Sequence, residues 1–113
     1  MKLCSELILK FKELQNSTES KIIYHPADIT KPSEIAELVK YAESEIGKPI
    51  DILVNNAGIQ FTAPIEQFPI DKFNEVMQVN LVSNFYTIRE TIGKMKQKNW
   101  GRIINISRTG IKN

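Results

Sequence analysis

Apolar positions set the frame of the chain. Leu3, Leu7, Ile8, Phe11 and Leu14 recur at helical spacing, which predicts an amphipathic helix over residues 2–15. Gln15-Asn16-Ser17-Thr18 breaks that pattern. Ile22-Ile23-Tyr24 follows as a short run of strand-forming residues closed by Pro26. Ile35, Leu38, Val39, Ala42 and Ile46 then make one stripe, predicting a helix over 31–46. Pro32 suits its first turn, where the missing N–H is not needed, and Gly47 followed by Pro49 supplies the stop.

Ile50 to Val54 reads as a second strand, with Asp51 near its start. A segment through Pro64 and Pro69 carries a short helical turn. Phe73, Met77, Leu81, Phe85, Ile88, Ile92 and Met95 mark a long helix over 71–98, with Asp71 at its positive end. Asn99-Trp100-Gly101 ends it, and Arg102 to Ser107 forms a third strand. The order αβαβαβ, with short strands alternating with helices, implies parallel pairing through right-handed crossovers. The expected fold is a three-layer α/β sheet.

Composition narrows the picture only slightly. At 113 residues, 42% hydrophobic and 25% charged, the chain fits one globular domain and neither a disordered nor a fibrous protein. The net charge of +2 is too small to indicate a nucleic-acid binder. The excess of cations over residues 57–113 falls mostly near helix ends, at Arg89, Lys94, Lys96 and Lys98, where they suit the dipole. Cys4 is the sole cysteine, so an internal disulfide is excluded, and a reducing cytoplasm is expected. With His25 it supplies too few ligands for a zinc site, and no metal is expected. Apolar runs are at most three residues long, far short of a membrane span, so neither a membrane nor a nucleic-acid partner is expected.

Four motifs in order carry chemistry. Asn55-Asn56-Ala57-Gly58 directly follows the strand Asp51-Ile52-Leu53-Val54. Ala27-Asp28-Ile29-Thr30 makes an acidic turn at an earlier strand end, Val79-Asn80-Leu81 lies inside the long helix, and Gly101-Arg102-Ile103-Ile104-Asn105-Ile106-Ser107 forms the last strand. Together they resemble the short-chain dehydrogenase/reductase family over essentially residues 1–107. Gly58-Ile59-Gln60-Phe61, Pro64-Ile65-Glu66 and the run Asn99-Trp100-Gly101-Arg102 look narrower still, like the D-3-hydroxybutyrate dehydrogenases within that family.

The resemblance implies a partial Rossmann-type sheet and an NAD-dependent hydride transfer involving a small hydroxy acid. It assigns Asp28 to the adenine amino group with Ile29 beside it, and Asn56, Ala57 and Gly58 to the cofactor-facing turn. It gives Asn80 a main-chain bond and a relay water, and it gives Gln60 the substrate carboxylate. Plainer readings stand beside these. Asp28 also suits an Asx-turn before the Pro32 helix. The 56–58 segment also reads as a strand-to-loop turn, Asn80 as a helix-kinking amide and Gln60 as a solvated loop residue. An amide on the apolar side of a helix does need partners.

The family's remaining machinery is not found in these 113 residues. Each of the three tyrosines is followed four positions later by an acid (Asp28, Glu45 and Glu90), so no Tyr-x-x-x-Lys occurs. Ungapped matching puts Arg108 on the catalytic Ser, with Ser107 one position early, and Gly110 where a substrate-facing His is expected. The glycines at 47, 58, 93, 101 and 110 cannot form the phosphate-binding turn of closely spaced glycines that donates backbone N–H groups. General acid–base catalysis is worth roughly 10²–10⁴-fold and one oxyanion donor about 10²–10³-fold. The chain is therefore expected to be a single incomplete dinucleotide-binding domain over 1–113, lacking the first βαβ unit and the carboxyl-terminal part, and inactive alone. The alternative is a non-catalytic module that pairs through helix 71–98 with a complete paralogue. A separately encoded complementary half is the other expected partner.

Overall fold

A computed structural model describes residues 5–107. Helix α1 spans Ser5–Thr18, α2 spans Pro32–Ile46, and strand β1 spans Ile52–Asn55. A 3₁₀ turn at Ile65–Gln67 leads into α3, Ile70–Met77, and a π turn at Gln78–Val82 joins α3 to α4, Ser83–Gln97. Strand β2, Arg102–Asn105, closes the order.

The local signals behave as their chemistry dictates. Pro32 opens α2 after an extended Lys31, and Gly47 ends it in the left-handed region at φ 84°, donating its N–H to Glu43 O at 2.8 Å. Lys94 and Lys96 occupy the last turn of α4, where cations oppose the negative end of the helix.

β1 and β2 pair in parallel, with Leu53 opposite Ile103 and Asn55 opposite Asn105. The 3.6-period segment between them makes the crossover that parallel pairing requires. α4 packs on β1, and α2 packs on α4. Ile35 of α2 is fully buried and Met95 of α4 is 5% exposed; these two form the apolar centre among the described residues. Lys94 Nζ on α4 meets Glu43 Oε1 on α2 at 3.0 Å beside that centre. At the amino end of β1, Asp51 is paired with Lys48 and Lys98, which holds its carboxyl below the usual aspartate range, the Lys98 contact contributing most.

The partial Rossmann-type α/β fold stands, with two corrections. Ile22-Ile23-Tyr24 joins no ladder among the described residues, so the expected strand is absent. A strand exists only where a second backbone meets its N–H and C=O groups, and among the described residues β1 and β2 pair with each other alone. Side chains hold the segment instead: Tyr24 stacks on Phe11 at 6.1 Å, and Ile22 N–H donates to Gln15 Oε1 at 3.0 Å. The second correction concerns the expected continuous helix 71–98, which is two helices interrupted by the π turn.

Among the described residues one sheet face remains open. Ile52, Val54 and Ile104 share the side opposite α4 and are 46–53% exposed. The radius of gyration, 16.5 Å, exceeds the value of about 13 Å for a compact domain near this size. The described residues thus form half-covered layers around a small core.

Candidate functional site

Ligands of open parallel α/β sheets bind beyond the carboxyl ends of the strands. Two turns carry the candidate residues, and only the one after β1 lies at such a strand end. The first is Asp28–Lys31, before α2. Asp28 Oδ1 accepts from Thr30 N–H at 2.9 Å and from Thr30 Oγ1 at 2.6 Å. The hydroxyl bond, then the backbone bond, lower the Asp28 carboxyl below its ordinary value, so it stays ionised. Lys31 N–H closes the turn on Asp28 O at 3.1 Å. The Asx-turn is therefore present, and the exposed carboxylate retains lone pairs for a further donor. Ile29 N–H has no partner among the described residues.

The second turn follows β1. Asn56 and Ala57 are exposed, and the N–H groups of Asn56, Ala57 and Gly58 make no backbone bond among the described residues. Asn80 reaches the turn from the π segment. Its Oδ1 accepts from Ile59 N–H at 2.8 Å, and its Nδ2 donates to Ile59 O at 2.9 Å. One amide thus engages both backbone groups of one residue. A Cβ at Gly58 would lie 3.5 Å from Asn80 Oδ1, so the turn runs close against this amide.

The π turn explains how a helical side chain gets there. Ser83 N–H bonds Gln78 O five residues back, and the Ser83 hydroxyl bonds Val79 O at 2.6 Å. The extra residue in the turn changes the direction in which its side chains project, as π segments near functional sites do.

The structure brings together Gly58, Ile59 and Asn80. Asp28 and Ile29 make no hydrogen bond to that turn. Gln60 is exposed, with no hydrogen bond among the described residues. Arg108 and Gly110 lie outside the described residues. No cluster of three His, Cys, Asp or Glu capable of holding a metal occurs among the described residues. A cleft of about 520 Å³ lies between the end of α4 and the start of β2, lined by Met95, Trp100 and Arg102 among others. It sits at the amino end of the sheet, opposite the end where ligands bind.

Sequence reasoning missed Thr87 and the partners of Asn55. Asn55 is 7% exposed, its Oδ1 accepts from Thr87 Oγ1 at 2.6 Å, and its Nδ2 donates to Asn105 Oδ1 at 2.9 Å. A signal existed: Asn55 lies two residues beyond Leu53, hence on the same covered face of β1. A polar side chain at such a position must find a partner.

Comparison with known proteins gives the family. The family model described as short chain dehydrogenase matches residues 5–112. The chain belongs to the short-chain dehydrogenase family. A D-beta-hydroxybutyrate dehydrogenase of Rhizobium meliloti is 48% identical over 95 residues, covering 84% of this chain and 36% of that protein. A second, from Cupriavidus necator, is 48% identical over 89 residues, covering 79% and 34%. A 5-keto-D-gluconate 5-reductase of Escherichia coli is 40% identical over 81 residues, covering 72% and 32%. The chain thus spans about a third of the length of these relatives. Among solved structures, an alcohol dehydrogenase from Thermococcus sibiricus in complex with 5-hydroxy-NADP superimposes with a TM-score of 0.78 at 23% identity. The match covers 87% of this chain and 41% of that one, and supports the fold.

Proposed function

We propose that these residues are the central part of a cytoplasmic, NAD-dependent D-3-hydroxybutyrate dehydrogenase, and that the 113-residue polypeptide does not turn over by itself. The observation that carries this reading is the Asn80 clamp on Ile59, which fixes the turn just past Gly58 at the carboxyl end of β1. The 48% identity to two hydroxybutyrate dehydrogenases supports the substrate class.

The residues present fit one side of the dinucleotide. The ionised Asp28 carboxylate could accept from an amino group, and the Ile29 N–H beside it, unpartnered among the described residues, could donate to a ring nitrogen; these are the residues that would hold the edge of adenine. The exposed Asn56, Ala57 and the Cβ-free Gly58 leave room for a ribose and offer N–H donors to it. When bound, NAD supplies the hydride acceptor for the alcohol carbon. Asn80 bonds both backbone groups of Ile59, and the exposed Gln60, two residues beyond Gly58, is the residue we assign to donate its amide N–H to a substrate carboxylate. No residue here matches the family's Tyr-x-x-x-Lys pair, so removal of the hydroxyl proton has no assigned acceptor in this chain.

Purified chain mixed with NAD and 3-hydroxybutyrate is expected to give no NADH absorbance. NADH formation proportional to the amount of chain, with host dehydrogenase excluded, overturns the inactivity. Addition of a polypeptide carrying the glycine-rich turn and a Tyr-x-x-x-Lys pair then tests complementation.

A second reading has its own observation. Phe73, Leu81 and Phe85 are 53–60% exposed along α3, the π turn and the first half of α4. Large apolar side chains gain about 1.5–3 kcal/mol each on full burial, so this stripe favours a partner helix. A non-catalytic module docking on a complete paralogue predicts co-elution of the two chains on size exclusion, and strict separation refutes it.

A further inference from the structure

Three hydroxyls stand at four-residue spacing on the buried side of α4. Ser83 and Thr91 are each 3% exposed and give their protons to their own helix, to Val79 O at 2.6 Å and Thr87 O at 2.9 Å. Thr87 alone reaches the sheet. Its Oγ1 lies 2.6 Å from Asn55 Oδ1 and 3.0 Å from Asn84 O.

Asn55 is the last residue of β1, and the cofactor-facing turn begins at the next residue. Its amide is held on one side by Thr87 and on the other by Asn105, the last residue of β2. Its backbone O accepts from Ile106 N–H at 2.9 Å. This run of side chains therefore ties α4 to the carboxyl ends of both strands.

A hydroxyl has one proton but two acceptor lone pairs. Thr87 can donate to Asn55 Oδ1, with Asn55 donating on to Asn105. It can equally donate to Asn84 O and accept from a turned-over Asn55, which then accepts from Asn105. The two senses share the same heavy-atom positions. Both need the Thr87 oxygen, and without it the buried amide of Asn55 keeps an unpaired end.

We propose that Thr87 is a positioning residue: through Asn55 and Asn105 its hydroxyl locks both strand ends and so sets the Asn56–Gly58 turn for the dinucleotide. This deepens the dehydrogenase reading and rests on it.

The test uses the full ¹⁵N-labelled chain and three variants: Thr87→Val, Thr87→Ser and Thr91→Val. Thr91→Val removes a hydroxyl from the same buried side that bonds only within the helix, and so reports what mere loss of helix stability does. The expected result for Thr87→Val is altered backbone amide shifts at Asn56, Ala57 and Gly58. Exchange of the Asn55 side-chain amide protons should be about tenfold faster, the scale of one lost hydrogen bond. Thr87→Ser restores both, and Thr91→Val leaves both unchanged. NADH titration keeps the same order: weaker for Thr87→Val, restored by Thr87→Ser, unaffected by Thr91→Val. If Thr91→Val disturbs the 56–58 amides as much as Thr87→Val, or Thr87→Ser fails to restore them, the positioning role is overturned. A wild-type chain that leaves NADH unbound overturns the dinucleotide reading, while the amide comparison still decides whether Thr87 sets the turn.

Discussion

Removing the Asn80 amide should free one particular peptide group. In Asn80→Ala, Ile59 loses the acceptor of its N–H and the donor to its C=O together. A neutral hydrogen bond contributes about 0.5–1.5 kcal/mol net, which sets the pair at roughly 1–3 kcal/mol. Asn80 is exposed and Ile59 half-buried, so water replaces part of what is lost, and about 1–2 kcal/mol is expected. That range corresponds to a factor of about 5–30 in the local opening equilibrium. Amide hydrogen exchange at Ile59 reads this factor directly, because local openings are measured residue by residue. Asn80→Asp is the sharper variant. It keeps an acceptor for Ile59 N–H but sets a carboxylate oxygen against Ile59 O, where an N–H stood at 2.9 Å. Exchange in Asn80→Asp should be at least as fast as in the alanine variant. Unchanged exchange at Ile59 in both variants refutes the clamp, and with it the main support for a fixed turn past Gly58.

Two further outcomes concern a charge and a close contact. The Asp28 carboxyl is held below the ordinary aspartate value of 3.8, first by the Thr30 hydroxyl and then by the Thr30 N–H, so the stabilisation of the Asx-turn is fully present above that value. It is lost as pH falls through the lowered folded value. Thr30→Val raises the Asp28 pKa toward the ordinary one in an NMR titration of its carboxyl carbon, and an unmoved midpoint contradicts the assignment. Gly101→Ala would set a Cβ 2.5 Å from Met95 Sδ and 2.8 Å from Met95 Cβ. Overpacking of this kind costs about 1–3 kcal/mol in urea unfolding and less in a Met95→Ala background, which removes the Sδ and Cγ contacts and keeps the one to Cβ; equal losses in both backgrounds contradict the contact.

Much of the fold was legible because its signals are local. Pro32 and Gly47 bound α2 within a residue of the periodicity, and Ile52–Val54 and Arg102–Ile104 became strands as their β-branched runs required. The Ile22-Ile23-Tyr24 segment has the same composition and no ladder, because a strand is a property of two backbones and its own residues cannot supply the second. The π turn was illegible for a related reason. Its residues, Gln78 to Val82, keep an apolar period close to that of an α-helix, and only the Ser83 bond to Gln78 O reveals the extra residue.

The site divides in the same way. The apolar period set Asn80 on a covered helical face, whereas the structure leaves it exposed, and that both its partners belong to Ile59 required the fold. At Asp28 the Asx-turn is present, and its bonds to Thr30 lower the pKa of a carboxylate still open to solvent. Thr87 and Asn105, 18 residues apart, meet only through Asn55, and no sequence spacing announces that.

The most direct measurement titrates NADH into the ¹⁵N-labelled chain and maps the amides that move. Saturable shifts are expected at Asp28 and Ile29 together with Asn56, Ala57 and Gly58, at low affinity because the chain has no glycine-rich turn for the pyrophosphate. Shifts confined to the cleft around Trp100 and Arg102, or none at any concentration, would contradict the dinucleotide site.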